Sequence, residues 1–240
     1  VEHWRRNRGR CMGSLYWQLN DNWPVASWSS VDYFGRWKAL HYMAKNFYAP
    51  IAGSLTRKDK VVEAHIQNET LHDVNCEVTI SLKAMDLTVL HQKKQSITVP
   101  ALSAMKVFEQ DYRSMVRGQE DRVFVEAVFT DESGNQSTEV IFFVPYKYLK
   151  LEKPQITYKV EEDEKAFTIS FLTDKLACFV ELDFADSDAI FSDNYFYLTD
   201  KEPKVIILNK ADIRREEIPN AKVLASRLLV RSLRDSYQYI

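Results

Sequence analysis

Two long tracts of this sequence alternate apolar and polar residues with a period of two, and nothing else in it constrains the fold as much. Between 51 and 146, Val62, Ala64 and Ile66 alternate with Glu63, His65 and Gln67. Cys76, Val78, Ile80 and Leu82 alternate with Glu77, Thr79 and Ser81. Val123, Val125, Ala127 and Phe129 form another apolar face, and DESGNQ (131–136) is a turn before TEVIFFV. Successive side chains of a strand point to opposite faces, so each run reads as a strand with one buried side. Shorter runs near Thr88, Ile97 and Val107 bring the total to about seven strands in roughly 95 residues, the spacing of an immunoglobulin-like sandwich. The Cys–Trp–Cys core of antibody domains is absent, so the expectation concerns architecture alone.

The alternation returns from about 155 to 240. Ile156, Tyr158 and Val160 form one face, Phe167, Ile169 and Phe171 a second, and Cys178, Val180, Leu182 and Phe184 a third. PKVIILN (203–209) and VLASRLLVRSL (223–233) read as further strands, and KADIRREE (210–217) allows a short helix. No glycine occurs after Gly134, so the turns here use Asp, Asn, Lys and Pro, as at SDN (192–194). A second sandwich is expected. The fold class is therefore mainly β, with sandwiches at 51–150 and 151–240.

Residues 1–50 are of another kind. All five tryptophans (Trp4, Trp17, Trp23, Trp28, Trp37) fall in this segment, which marks a boundary near Pro50; a second break lies at PYKYLKLEKP (145–154). EHWRRNRG reads as a helix end with Gly9 after its cap, and SLYWQL as a short buried strand. GRWKALHYMAKNFY (35–48) spaces Trp37, Leu40, Met43, Ala44 and Phe47 as a helix that Pro50 stops. Trp28 and Trp37 are expected in a core. Helix, buried strand, loop and helix is a piece of an α/β barrel rather than of a sandwich.

Several function classes are excluded. A net charge of −2 lacks the basic excess of a nucleic-acid binder. No apolar run reaches the roughly 20 residues of a membrane-spanning helix. The five histidines show no HxH or HxxxH spacing, and the acidic string Asp183, Asp186, Asp188, Asp193 lacks the glycine and terminal glutamate of a calcium loop, so no metal and no cofactor is expected. RRNRGR (5–10) is read as a solvated helix end. Three dispersed cysteines, an odd number, slightly favour a reducing, cytoplasmic compartment over a secreted one. VEHWRR is neither a signal peptide nor a start methionine, so the chain reads as beginning inside a longer polypeptide.

The segment GSLYWQLNDNWPVASWSSVDYFGRWKALHYMAKNFYAP (13–50) resembles the end of the catalytic barrel in β-mannosidases of glycoside hydrolase family 2. There the eighth strand reads LYWQLND, a WP loop follows, and the last helix carries GRWKALHY. PYKYLKL (145–151) is similar to the join between that family's two C-terminal sandwiches, and FSDNYF (191–196) to a motif of the last one. The resemblance implies residues 1–50 as the remnant of a (β/α)8 barrel, and a retaining exo-hydrolase of terminal β-D-mannose. Its substrates would be β-mannoside oligosaccharides. The nucleophile and acid/base are then both glutamates upstream of Val1, and Glu2 can be assigned neither role. A tryptophan at position 17 is implied as the platform under the sugar, with Asn20 and Asp21 at the strand mouth and Trp23 in the loop beyond. The fragment alone is expected to be catalytically inactive, with the missing barrel as its partner; a homo-oligomer is compatible with the sequence. The alternatives are a carbohydrate- or protein-binding sandwich module, and an accessory region of another family 2 glycosidase. A strand deprived of both neighbours predicts that residues 1–30 are irregular or paired with a second copy, and that the helix 36–48 docks on the 51–146 domain.

Overall fold

The computed structural model describes residues 1–237. They form two compact units, one of residues 1–16 with 44–150, the other of residues 17–43 with the described residues from 151 onward.

The first unit opens with helix α1 (Glu2–Arg6), and the division between units falls inside α2 (Ala39–Phe47). Seven strands follow: β1 (Ile51–Lys58), β2 (Val61–Asn68), β3 (Val74–Ala84), β4 (Val89–Val99), β5 (Ser103–Asp111), β6 (Val123–Asp131) and β7 (Gln136–Phe142), with the one-turn helix α3 (Arg113–Val116) before β6. They pair antiparallel as β1-β2-β5 and β4-β3-β6-β7. The predicted alternation is the reason. Val62, Ala64 and Ile66 of one sheet share a core with Val78, Ile80 and Leu82 and with Val123, Val125 and Ala127 of the other. β1 can join only because residue 53 is glycine: a Cβ there would sit 2.0 Å from the Phe129 ring. α1 is tied down by Arg5, whose guanidinium donates to the Phe47 and Ala49 carbonyls at 2.6 and 2.8 Å, satisfying acceptors at the end of α2.

The second unit holds β8 (Ile156–Glu162), β9 (Ala166–Thr173), β10 (Ala177–Phe184), β11 (Asp188–Ala189), β12 (Phe196–Leu198), β13 (Lys204–Asn209), β14 (Ile213–Arg214), α4 (Ala221–Arg227) and β15 (Leu228–Arg231). The strands pair as two three-stranded sheets, β13-β9-β8 and β12-β10-β15, with β11-β14 as a separate two-stranded ribbon. Phe167, Ile169 and Phe171 meet Val180, Leu182, Ile206 and Leu208 in the core. Cys178 is buried on β10, as Cys76 is in the first unit, whereas Cys11 is half-buried; all three are free thiols.

Four local expectations are corrected. The run 223–233 is not one strand: Asn220 accepts the Val223 N–H at 3.0 Å as an N-cap, so the chain coils into α4 before β15 begins. The stretch 210–217 forms only a 3-10 turn at Lys210–Asp212 and the short β14. SLYWQL is no strand, and residues 7–38 carry only the isolated bridges Asn20–Val31 and Val31–Trp37, because among the described residues no second strand pairs with the segment. Helix α2 does not belong wholly to the 51–146 domain, since residues 39–43 group with the second unit.

Candidate functional site

Residues 17–38 form a loop with its own internal scaffold. The Ser30 N–H reaches the Gln18 and Leu19 carbonyls, the Val31 N–H donates to the Leu19 carbonyl at 2.8 Å, and the Asp21 N–H donates back to the Val31 carbonyl at 3.1 Å. Inside this turn the Asp21 side chain is buried. Its Oδ1 accepts from Ser27 Oγ at 2.6 Å and its Oδ2 from Ser29 Oγ at 2.7 Å, with Lys38 Nζ at 3.3 Å. Hydrogen bonds from Ser27, then Ser29, and the Lys38 charge hold its carboxyl below the usual carboxylate range. Lys38 also donates to Ser29 Oγ at 2.7 Å, closing a four-residue network.

A second anchor fixes the far side of the loop. Asp32 Oδ1 accepts the Phe34 and Arg36 N–H groups at 2.9 Å each, around Gly35 at φ 80°. A Cβ at Gly35 would lie 2.8 Å from Arg214 Nη1, so glycine serves both the turn and the approach to β14. Asp188 on β11 receives Arg215 at 2.7 Å and stands 3.9 Å from Arg36. The acidic string is thus paired rather than clustered: Asp186 with Arg227, Asp183 with Arg231, Asp193 with Lys204. Among the described residues no group of three or more His, Cys, Asp or Glu is arranged to hold a metal.

With its backbone so fastened, the loop turns its indoles outward. Trp17 is 73% exposed and Trp23 62%. Trp28, expected in a core, is 70% exposed, because the buried positions around it are taken by Ser29 and Ser30. Trp37 is half-buried, packed edge-on against His41 and Tyr42 at 4.4 and 5.2 Å between ring centres. Asn20 is exposed and uses its side chain on the Asp21 carbonyl at 3.2 Å. Of the four residues named from the sequence, then, Trp17, Trp23 and Asn20 are exposed while Asp21 is buried. Ser27, Ser29 and Lys38 escaped the sequence reading, although ASWSS (26–30) already offered a run of hydroxyls beside a buried acid.

FSDNYF (191–196) has a structural task in the same unit. Asn194 accepts the Leu182 N–H and donates to the Leu182 carbonyl, while the Phe191 N–H donates to the hydroxyl of Tyr42 at 3.2 Å. Tyr42 is buried there beside Tyr195, and burial pushes its phenol up to about 12.

The described residues thus make a tandem of two immunoglobulin-like domains, with a tryptophan-bearing loop before the second core is complete. Residues 60–148 match the family described as a mannosidase Ig/CBM-like domain, and residues 151–236 match a mannosidase Ig-fold domain. A β-mannosidase of Mus musculus is 29% identical over 96% of this chain, and one of Bos taurus 28% identical over 99%. The chain spans only 26% and 28% of those relatives' lengths. In fold it is similar to the β-D-mannosidase of Dictyoglomus thermophilum, with a TM-score of 0.83 and 24% identity over 97% of this chain and 27% of that one. Together, the two domain matches and these relatives support a C-terminal portion of a glycoside hydrolase family 2 β-mannosidase.

Proposed function

We propose that this chain is the C-terminal portion of an exo-β-mannosidase that removes terminal, non-reducing β-D-mannose from oligosaccharides with retention of configuration. What supports the reading most directly is Trp17, an indole left exposed on a fastened loop in a chain whose relatives are β-mannosidases. Retaining chemistry needs two carboxyl groups about 5–5.5 Å apart. In this reading both glutamates come from the part of the polypeptide that precedes the sequence, as does the remainder of the barrel. That remainder would give SLYWQL the neighbouring strands it lacks here.

Each site residue then has a role. Trp17 lies under the apolar C–H face of the pyranose, which suits a flat ring, and Trp23 closes the side of the pocket. Asn20 offers its amide to the sugar hydroxyls. Asp21 has its oxygens committed to Ser27, Ser29 and Lys38, so it serves by holding the loop.

Trp17→Ala in the complete enzyme should lower kcat/KM by about 2–4 kcal/mol while leaving the fold intact. The isolated chain should release no phenol from an aryl β-mannoside. Unchanged kinetics in the variant would remove Trp17 from the site, and sustained turnover by the pure chain would overturn the placement of the glutamates.

A further inference from the structure

The first sandwich has a cleft of its own, remote in sequence from the Trp17 loop. It is an open groove of about 510 Å³ between the turn that follows α3, at Gly118–Asp121, and the segment 144–150 that follows β7. The walls are fastened to each other: the Lys150 N–H donates to the Asp121 carbonyl at 2.9 Å, and the Tyr148 N–H closes a turn on the Pro145 carbonyl at 2.9 Å. These two hydrogen bonds hold the walls of the groove in place.

We propose that this groove is a second sugar-binding site, which holds a β-linked manno-oligosaccharide away from the site of hydrolysis. Tyr148 is 58% exposed, so much of its flat ring borders the groove instead of packing inward. Lys147 Nζ lies 4.9 Å from its centroid. Around it stand Glu120 and Asp121 with Lys147 and Lys150, two carboxylates against two ammonium groups. An anionic ligand would meet the carboxylates, and a cationic one the lysines. A neutral polyol meets both as partners, because each hydroxyl donates to a carboxylate and accepts from an ammonium. Glu120 is free to do so, since its ion pair with Lys60 is loose at 3.8 Å. A ring for the apolar face of a pyranose and paired charges for its rim form the usual division of labour in a ligand site. The match of residues 60–148 to a mannosidase Ig/CBM-like domain points to the same class of ligand. The choice of manno-configured sugar rests on the proposed function; the groove's suitability for a neutral sugar does not.

The test is a titration of the 240-residue chain with β-1,4-mannotriose, followed residue by residue in amide NMR spectra. Saturable shifts are expected at 118–121 and 144–150. Tyr148→Ala should weaken binding about tenfold, the scale of one ring contact, and Tyr148→Trp should retain it. Glu120→Ala, at the opposite wall, should weaken it as well. Absence of shifts in the groove, shifts indifferent to both alanine variants, or shifts confined to the Trp17–Trp23 loop would overturn the proposal. Equal or tighter binding of cellotriose would overturn the assignment to mannosides. Hydrolysis of mannosides by a complete enzyme whose groove stays silent would remove this inference alone. A filled groove in an enzyme inactive on mannosides would remove the proposed function and leave the sugar site standing.

Discussion

Asp21 is where residue-level chemistry departs from what its position suggested. The sequence placed a carboxylate at the mouth of a would-be strand, which reads as a ligand. Its oxygens are instead spent on residues 6, 8 and 17 positions further along. The hydroxyl run of ASWSS (26–30) was visible in the sequence, but nothing in it or near Lys38 names Asp21 as the acid on which they close. The consequence is a pH dependence of definite sign. Because folding favours the ionised form, the stabilisation is complete above the ordinary aspartate pKa, about 3.9, and is lost as pH falls through the lower folded value. Asp21→Asn should therefore melt below the parent chain at pH 7, and the two melting temperatures should converge in strong acid. A gap that stays constant from pH 7 down to about pH 3, beneath that aspartate value, would show that the charge contributes nothing.

Elements differ in how openly the sequence declares them. β2, β3 and β6 were legible because each keeps one face in the core for its whole length, although burial becomes two-sided at the start of β6 and towards the ends of β2 and β3. α4 was missed because VLASRLLV is apolar almost throughout, and such a run suits a buried helix or a strand equally; only Asn220, an N-cap, distinguishes them. α2 was foreseen, yet the stripe counted for it omitted its most buried side chain. Tyr42 has a polar tip, and that hydroxyl accepts the Phe191 N–H, 149 residues away. In urea unfolding, Tyr42→Ala should cost about 3–5 kcal/mol, as removal of a buried aromatic does. Tyr42→Phe should cost about 1–3 kcal/mol by leaving a buried donor unpaired. Equal losses for the two variants would mean that the hydroxyl, and not the ring, seats the helix.

At the scale of the whole molecule, two separate cores imply two cooperative transitions, a departure from two-state behaviour common in chains of more than one domain. Gly53→Ala forces a methyl into the Phe129 ring and should lower the first unit's stability by about 1–3 kcal/mol, the range for overpacking. Tyr42→Ala should move only the other transition. Calorimetry of the two variants decides it: displacement of a single transition by both would show that the units melt as one.

The free cysteines turn this architecture into a recording device. Burial pushes the Cys76 thiol up to about 11 and that of Cys178 up to about 12, so each is silent towards alkylating reagents while its own unit is closed. Cys11, half-buried, stays within a reagent's reach. Each unit therefore carries one hidden thiol, and successive mass increments on a single intact chain would register which half opened, and when, with no foreign dye or engineered probe.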